Sequence, residues 1–353
     1  MIPLYKPHMP ELNGIDEILH SGSLASGKYT LEFEKRIAEF IGVKAENVLV
    51  TNSFNMAIAV VNSLLDIKSG DEIIASPMAC LASTQPFSTS GIYVRWADVN
   101  PLKGTLDPDS VEKRVTKNTK AIFHNHFCGF PGYIDEINQI GKKYGIPVID
   151  DGIECFGSEY KGNKVGNCGT DITIFSFNAV RIPNTIDGGA IILNDSSLIN
   201  KARMIRDCGI DRLKFRDSIG EISPECDIYL AGYSATMSNV NSYIGIRQMD
   251  SLSGILKKQR LNAEKWDRNI ENYINIKPIY RENILPNYWI YGTLADNKRQ
   301  AIEEFREKGY YASGVHINNN IYSIFENDIE LPGVDEFYSH FVGLPCGWWM
   351  EEK

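Results

Sequence analysis

The chain has 353 residues, of which 43% are hydrophobic and 23% charged, with a formal net charge of −9 and a pI near 5.3. That composition belongs to a soluble globular protein with a substantial core, and the length allows one large domain and a smaller one. The acidic balance, without a Lys/Arg run, argues against nucleic acid or an anionic membrane as partner, and no apolar run is long enough to span a bilayer.

The first residues, MIPLYKP, lack a signal-peptide core, so a cytoplasmic location is expected. Seven cysteines, scattered and without a Cys-x-x-Cys pair, read as buried free thiols in a reducing compartment, and no His/Cys spacing suggests a metal site. Residues 12–41 read as two helices around the loop Ser21 to Gly27, with Leu31, Phe33, Ile37 and Phe40 giving the second a buried side. The loop glycines are as readily turn chemistry as ligand contacts. A short buried strand at 47–50 then meets Asn52, Ser53 and Phe54 and a helix from about Asn55. Its apolar positions repeat at Met56, Val60, Leu64 and at Ala57, Val61, Leu65. A strand, a polar turn and a helix N-terminus make a ready anion site, although an ordinary N-cap by Asn52 or Ser53 has the same signature.

Further strands are expected at 71–75, 93–96 and 121–123, with a helix near 109–113. His126 follows the last of these strands, and a lone histidine at a strand end is more often structural than catalytic. A helix over 134–144 leads into the apolar strand 146–149, which ends in Asp150 and Asp151. Acids at the carboxyl end of a strand in a parallel sheet point toward a ligand. Gly162, Gly166 and Gly169 mark a turn-rich connector. A strand near 172–177 then breaks into a polar loop containing Arg181, Pro183, Gly188 and Gly189, and a second strand follows at 190–193. A loop between two buried strands is a common seat for reactive side chains. Downstream come a helix ending at Gly209, a mixed polar loop at 211–230, and a helix from about 244 that closes the large domain. The remainder gives a basic helix at 257–268, a strand at 288–291, a helix at 298–308 and a closing apolar stretch at 344–349. No internal repeat is present.

Ser176, Phe177, Asn178, Asp187, Gly188 and Gly189 resemble the cofactor-lysine segment of the DegT/StrS-type sugar aminotransferases, which are fold-type I enzymes using pyridoxal phosphate (PLP). The family pattern is roughly Ser-Phe-His/Asn-x-x-Lys, then Thr-x-Gly-Glu/Asp-Gly-Gly. The loop from Ser21 followed by Glu32-Phe33-Glu34, the His126-x-x-Gly129 motif, Asp150-Asp151 and Gly232-Tyr233 extend the match nearly end to end. The resemblance implies an α/β fold-type I aminotransferase-like architecture. Residues 1–250 would form the large cofactor domain, with an N-terminal arm and a mostly parallel sheet flanked by helices. Residues 251–353 would form a small C-terminal α/β domain.

The resemblance also implies a site. Asp151 would pair with the pyridine nitrogen, keeping it protonated so that the ring accepts electrons. Glu154 would lie near the ring's 3-oxygen, where a carboxylate repels a phenolate unless it is protonated or the site differs. Ser53 and Phe54 stand in the phosphate turn, where the family has Gly-Thr. Leu81 holds the ring-stacking position, Ser176 and Asn178 belong to the lysine segment, and Ser234 stands where an asparagine crosses a dimer interface. Arg181 occupies the position of the lysine that forms the internal aldimine. A guanidinium stays protonated, so it is neither nucleophile nor base, and PLP or pyridoxamine phosphate would be bound noncovalently. The implied partners are a nucleotide-linked keto sugar of polysaccharide, lipopolysaccharide or glycan biosynthesis, an amino donor such as glutamate, and a second copy of the chain. Three readings stay open: a transaminase by descent, a lysine-less pyridoxamine phosphate-dependent sugar dehydratase-like enzyme, or a noncatalytic relative partnering an active homologue.

Overall fold

The structure is a computed structural model and describes residues 1–326 and 329–350. Its strands are β1 (Val48–Thr51), β2 (Glu72–Ala75), β3 (Tyr93–Trp96), β4 (Thr119–Asn125), β5 (Val148–Gly152), β6 (Glu159–Tyr160), β7 (Asn163–Lys164), β8 (Ile172–Ser176), β9 (Gly189–Leu193), β10 (Ile276–Pro278), β11 (Ile284–Leu285), β12 (Tyr291–Ala295) and β13 (Phe341–Leu344). Seven of them form one sheet in the order β1-β9-β8-β5-β4-β2-β3. Neighbours from β8 to β3 are parallel, and only β9 runs against the rest. Helices cover both faces, which is why β1, β5, β8 and β9 read as apolar runs rather than alternating ones.

This topology places the carboxyl ends of β1, β4, β5 and β8, together with the start of β9, along one edge of the sheet. Ligands of open α/β sheets bind outside that edge. At the sheet's margin, the backbone of Val50 finds side chains in place of another strand. Its N–H donates to Glu34 Oε1 at 3.0 Å and its carbonyl accepts from Arg206 Nη1 at 2.8 Å. Glu34 and Arg206 are themselves a buried ion pair at 2.5 Å. The exposed ladder of an edge strand is thereby closed.

Helix Asn239–Ile270 is 32 residues long and starts at Ser238, whose hydroxyl accepts the Asn241 amide at 3.1 Å. It packs first on helix Lys28–Ile41 and finally beneath β10. The basic helix expected at 257–268 is its second half, so the division expected at residue 250 falls inside a continuous element. The smaller sheet is antiparallel, β10-β12-β13, flanked by helices Lys298–Glu307 and Pro332–His340. The strand expected at 288–291 begins only at Tyr291, because Tyr288 takes a left-handed backbone (φ 54°) that interrupts extension. A third sheet, β11-β6-β7, joins the chain after residue 270 to the connector that follows β5.

The N-terminal residues form a strap across these parts. Ile2 donates to Gly309 O and accepts from the Tyr311 amide, Tyr5 stacks on Trp289, and His8 O receives the side-chain amides of Asn184 and Gln248. Among the described residues no helix is long and apolar enough to cross a membrane.

Candidate active site at the carboxyl edge of the sheet

The turn after β1 delivers Ser53 as the N-cap of helix Phe54–Leu64, its hydroxyl accepting the Met56 amide at 3.2 Å. Phe54 does not line the edge as expected. Its side chain is buried in the main core cluster, so this position offers a backbone N–H and no side-chain donor. Gly189 at the start of β9 lies directly beneath this turn. A Cβ there would sit 2.9 Å from Ser53 O and 3.0 Å from the Phe54 Cα. Only glycine lets the two segments approach so closely.

Alternation along β5 sends its two acids to opposite faces. Asp150 accepts from His124 Nδ1 at 3.1 Å and faces His126 Nε2 at 3.4 Å, all three fully buried. Burial alone would raise the Asp150 carboxyl, but the two imidazoles outweigh it and hold it well below the usual range. His126 Nδ1 accepts the Gly132 amide at 3.1 Å, so its proton sits on Nε2, toward Asp150. Asp150 and His124 form a buried hydrogen-bonded pair under the sheet with His126 against it, and that tautomer leaves no His126 Nε2 lone pair for a metal. Asp151 faces the other way. Its oxygen accepts the Ile153 amide at 3.2 Å, and burial pushes its carboxyl up to about 6, with Ser83 and Ile153 offsetting part of that push. It is a buried acid in search of a cation.

The loop between β8 and β9 is pinned at its base by Phe177 N–H to Gly188 O and Thr185 N–H to Phe177 O, both 2.8 Å. Ser176 is buried at its mouth and accepts the Asn178 amide at 3.3 Å; the Asn178 side chain is exposed, and its carbonyl accepts the Arg181 amide at 2.8 Å. The Arg181 side chain turns inward and is only 8% exposed. Its guanidinium lies 4.6 Å above the Trp289 ring, and Trp289 is held in place by its indole N–H on Val180 O at 2.9 Å.

Arg181 Nη1 lies 3.3 Å from Glu154 Oε1. The same oxygen takes His316 Nε2 at 2.8 Å, and Oε2 accepts the Cys128 amide at 2.8 Å. Burial would raise the Glu154 carboxyl, but His316 and then Arg181 overcome it and hold it down at about 2. Glu154 is therefore ionised, which removes the protonated alternative: its charge is answered within the protein. Cys128, Glu154 and His316 stand within metal-ligand reach of one another, yet the Arg181 guanidinium already supplies the cation beside them. The buried Cys128 thiol is pushed well above its ordinary range by burial and by Glu154.

The structure thus brings Ser53, Asp151, Glu154, Ser176, Asn178 and Arg181 to one edge. Leu81 opens helix Leu81–Thr89 and is more than a third exposed. Ser234 is exposed, and its backbone carbonyl accepts Asn52 Nδ2 at 3.0 Å within the same chain. Lys161 and Lys164 lie on the β6–β7 hairpin, paired with Asp135 and Glu159. Sequence reasoning missed Cys128, Trp289, His316 and Asn319. Asn319 reaches from the smaller lobe to Ala79 O and Thr84 Oγ1 beside Leu81. The three consecutive asparagines 318–320 were the available signal, since so polar a run is buried only where partners await it.

Residues 8–353 match the family described as the DegT/DnrJ/EryC1/StrS aminotransferase family. The chain is 29% identical over 357 residues to the UDP-4-amino-4,6-dideoxy-N-acetyl-beta-L-altrosamine transaminase of Campylobacter jejuni subsp. jejuni serotype O:23/36 (strain 81-176), covering 95% of this chain and 89% of that protein. The sugar aminotransferase CalS13 from Micromonospora echinospora superposes with a TM-score of 0.92 at 25% identity, over 100% of this chain and 96% of that one. The putative sugar aminotransferase Spr1654 from Streptococcus pneumoniae in its PMP-form superposes at 0.89 with 21% identity, covering 100% and 96%.

Proposed function

The chain belongs to the DegT/DnrJ/EryC1/StrS aminotransferase family, and we propose that it holds pyridoxal or pyridoxamine phosphate noncovalently and acts on a nucleotide-linked keto sugar. The observation that carries this reading is the Arg181–Glu154 pair beside an unneutralised, buried Asp151. Asp151 suits a protonated pyridine nitrogen, because such a cation would relieve the cost of burying its carboxylate. The N-terminus of helix Phe54–Leu64, with the Ser176 hydroxyl, suits a phosphate. Arg181 suits neither imine formation nor proton transfer. When bound, the cofactor supplies an electron sink for chemistry at carbon–nitrogen bonds. The sugar nucleotide follows from the family and from the transaminase named above, which acts on a UDP-linked sugar by its description.

Borohydride treatment of the PLP-saturated wild type, followed by intact-mass measurement, should leave the protein mass unchanged while equilibrium titration shows binding. A mass adduct on Lys161 or Lys164 would show that the site lies elsewhere. A wild type that binds neither cofactor form would leave the noncatalytic relative as the reading.

The protein is further proposed to work as a homodimer. The segment 211–230 exposes Leu213, Ile219, Ile222 and Tyr229, apolar side chains that a second copy would cover. Light scattering at micromolar concentration should give twice the chain mass, and Leu213→Asp with Ile219→Asp should shift it toward the monomer. A wild-type monomer would dismiss the proposal.

A further inference from the structure

We propose that His316 is the proton carrier of this site, reaching from the smaller lobe to do what a loop lysine would otherwise do. The inference rests on the reading that a pyridoxamine-type cofactor binds beside Asp151. The geometry is that of an oriented base. A buried carboxylate, Glu154, grips one ring nitrogen, Nε2, at 2.8 Å. That carboxylate is itself fixed by the Cys128 amide and by Arg181. The imidazole is steadied by the Phe127 ring, edge-on at 5.9 Å between centroids, and by its own amide on Gly314 O at 2.7 Å. Among the described residues Nδ1 makes no hydrogen bond, and the side chain keeps 15% exposure, so this nitrogen is the one able to meet a ligand. A carboxylate that fixes one nitrogen of a histidine leaves the other as acceptor, the arrangement that general bases use on unrelated folds.

The other groups at the edge are each unsuited. Arg181 does not release a proton at working pH. Glu154 is held ionised. Asp151 is committed to the ring nitrogen in this reading. The Cys128 thiol is fully buried and pushed up. Lys161 and Lys164 are engaged on the hairpin. Arg181 and His316 share one carboxylate, so the guanidinium's part is to balance Glu154 and keep it in place for the imidazole.

The chemistry balances without an outside oxidant or reductant. Moving the amino group of pyridoxamine phosphate to 2-oxoglutarate removes one proton from the cofactor's methylene carbon and places one on the keto carbon. The keto oxygen leaves as water, and water returns an oxygen to the former methylene carbon as the aldehyde. His316 Nδ1 would accept the first proton and deliver the second.

The test uses the full chain with pyridoxamine phosphate and, as probe, 2-oxoglutarate in a single turnover, reading glutamate formed. His316→Gln should bind pyridoxamine phosphate within about twofold of wild type yet lose transfer by roughly 100-fold or more, the usual reach of general acid–base catalysis. His316→Ala should lose transfer equally and regain part of it with added imidazole, which a purely structural histidine would not do. Without any turnover, ¹⁵N NMR should show the His316 Nδ1 resonance move when pyridoxamine phosphate is added. Wild-type transfer rates in His316→Gln, an unmoved Nδ1 resonance at saturation, or a wild type that binds the cofactor but transfers nothing would each overturn the inference alone. A wild type that does not bind pyridoxamine phosphate would remove the functional reading and this inference with it.

Discussion

A protein carrying Arg181→Lys together with Glu154→Gln should turn yellow with PLP and be locked to it by borohydride, whereas Arg181→Lys alone should stay nearly colourless. The reason is the Glu154 carboxylate, held ionised beside position 181. An ammonium placed there gains a buried anion as partner, so its proton is held and the amine is not free to attack. Neutralising Glu154 removes that hold. The single variant Glu154→Gln should be the least stable of the set, because it strands the buried Arg181 guanidinium. Breaking one side of a buried pair costs about 3–5 kcal/mol, readable as a lower urea midpoint. The double variant should recover much of this loss, since a lysine amine can become neutral where a guanidinium cannot. Full colour in Arg181→Lys alone would show that Glu154 does not control the position.

Asp151→Asn should make the cofactor-free protein more stable at pH 7 and at the same time weaken cofactor binding. Its carboxyl is raised from 3.8 to about 6 by burial, so between about pH 4 and 6 the folded state holds a proton that the unfolded state has released, and above that it buries the charge. Stability from this group is complete below about pH 4, falls as pH rises from about 4 to about 6, and is level above that. The difference reaches roughly 3 kcal/mol, taking 1.36 kcal/mol per pKa unit. Glu154 has the opposite sign, its contribution being lost only as pH falls from about 4.5 toward 2, so the two do not overlap in the upper window. The difference between wild type and Asp151→Asn in urea unfolding should therefore grow across pH 4–6 in favour of the variant. With saturating pyridoxamine phosphate the preference should shrink or vanish. The lost charge-assisted hydrogen bond is worth roughly 1.5–3 kcal/mol, or about 10- to 150-fold in affinity. A flat stability difference across that pH range would mean the carboxylate is not desolvated, and unchanged affinity would take Asp151 out of the site.

Local periodicity made the large sheet legible. The apolar runs ending at Thr51, Asp151 and Ser176 are strands whose ends share one edge, and the acid at the end of β5 pointed there. What stayed hidden depends on contacts distant in sequence. Phe54 sits in a motif that suggests ligand contact, but an apolar ring beside a core is drawn into it. Glu154 looked incompatible with a ring oxygen because its partners, Arg181 and His316, lie 27 and 162 positions away. Trp289 was assigned to a strand by its β-forming neighbours, and the left-handed Tyr288 instead leaves its indole as a shelf for Arg181. Pattern sees neighbours along the chain; a site is made of neighbours across it.

The strap formed by the first eight residues gives the opening of this protein a local reporter. Ile2 is bonded to Gly309 and Tyr311 in the smaller lobe, while His8 is bonded to Asn184 in the loop that carries Arg181, and Tyr5 lies on Trp289 between them. The two lobes cannot part without releasing one end of that strap. The Ile2 and Tyr311 amides, hydrogen-bonded while it is fastened, should therefore exchange with deuterium through its opening. Their protection would report the free energy of parting the strap, which binding and turnover report only as an average.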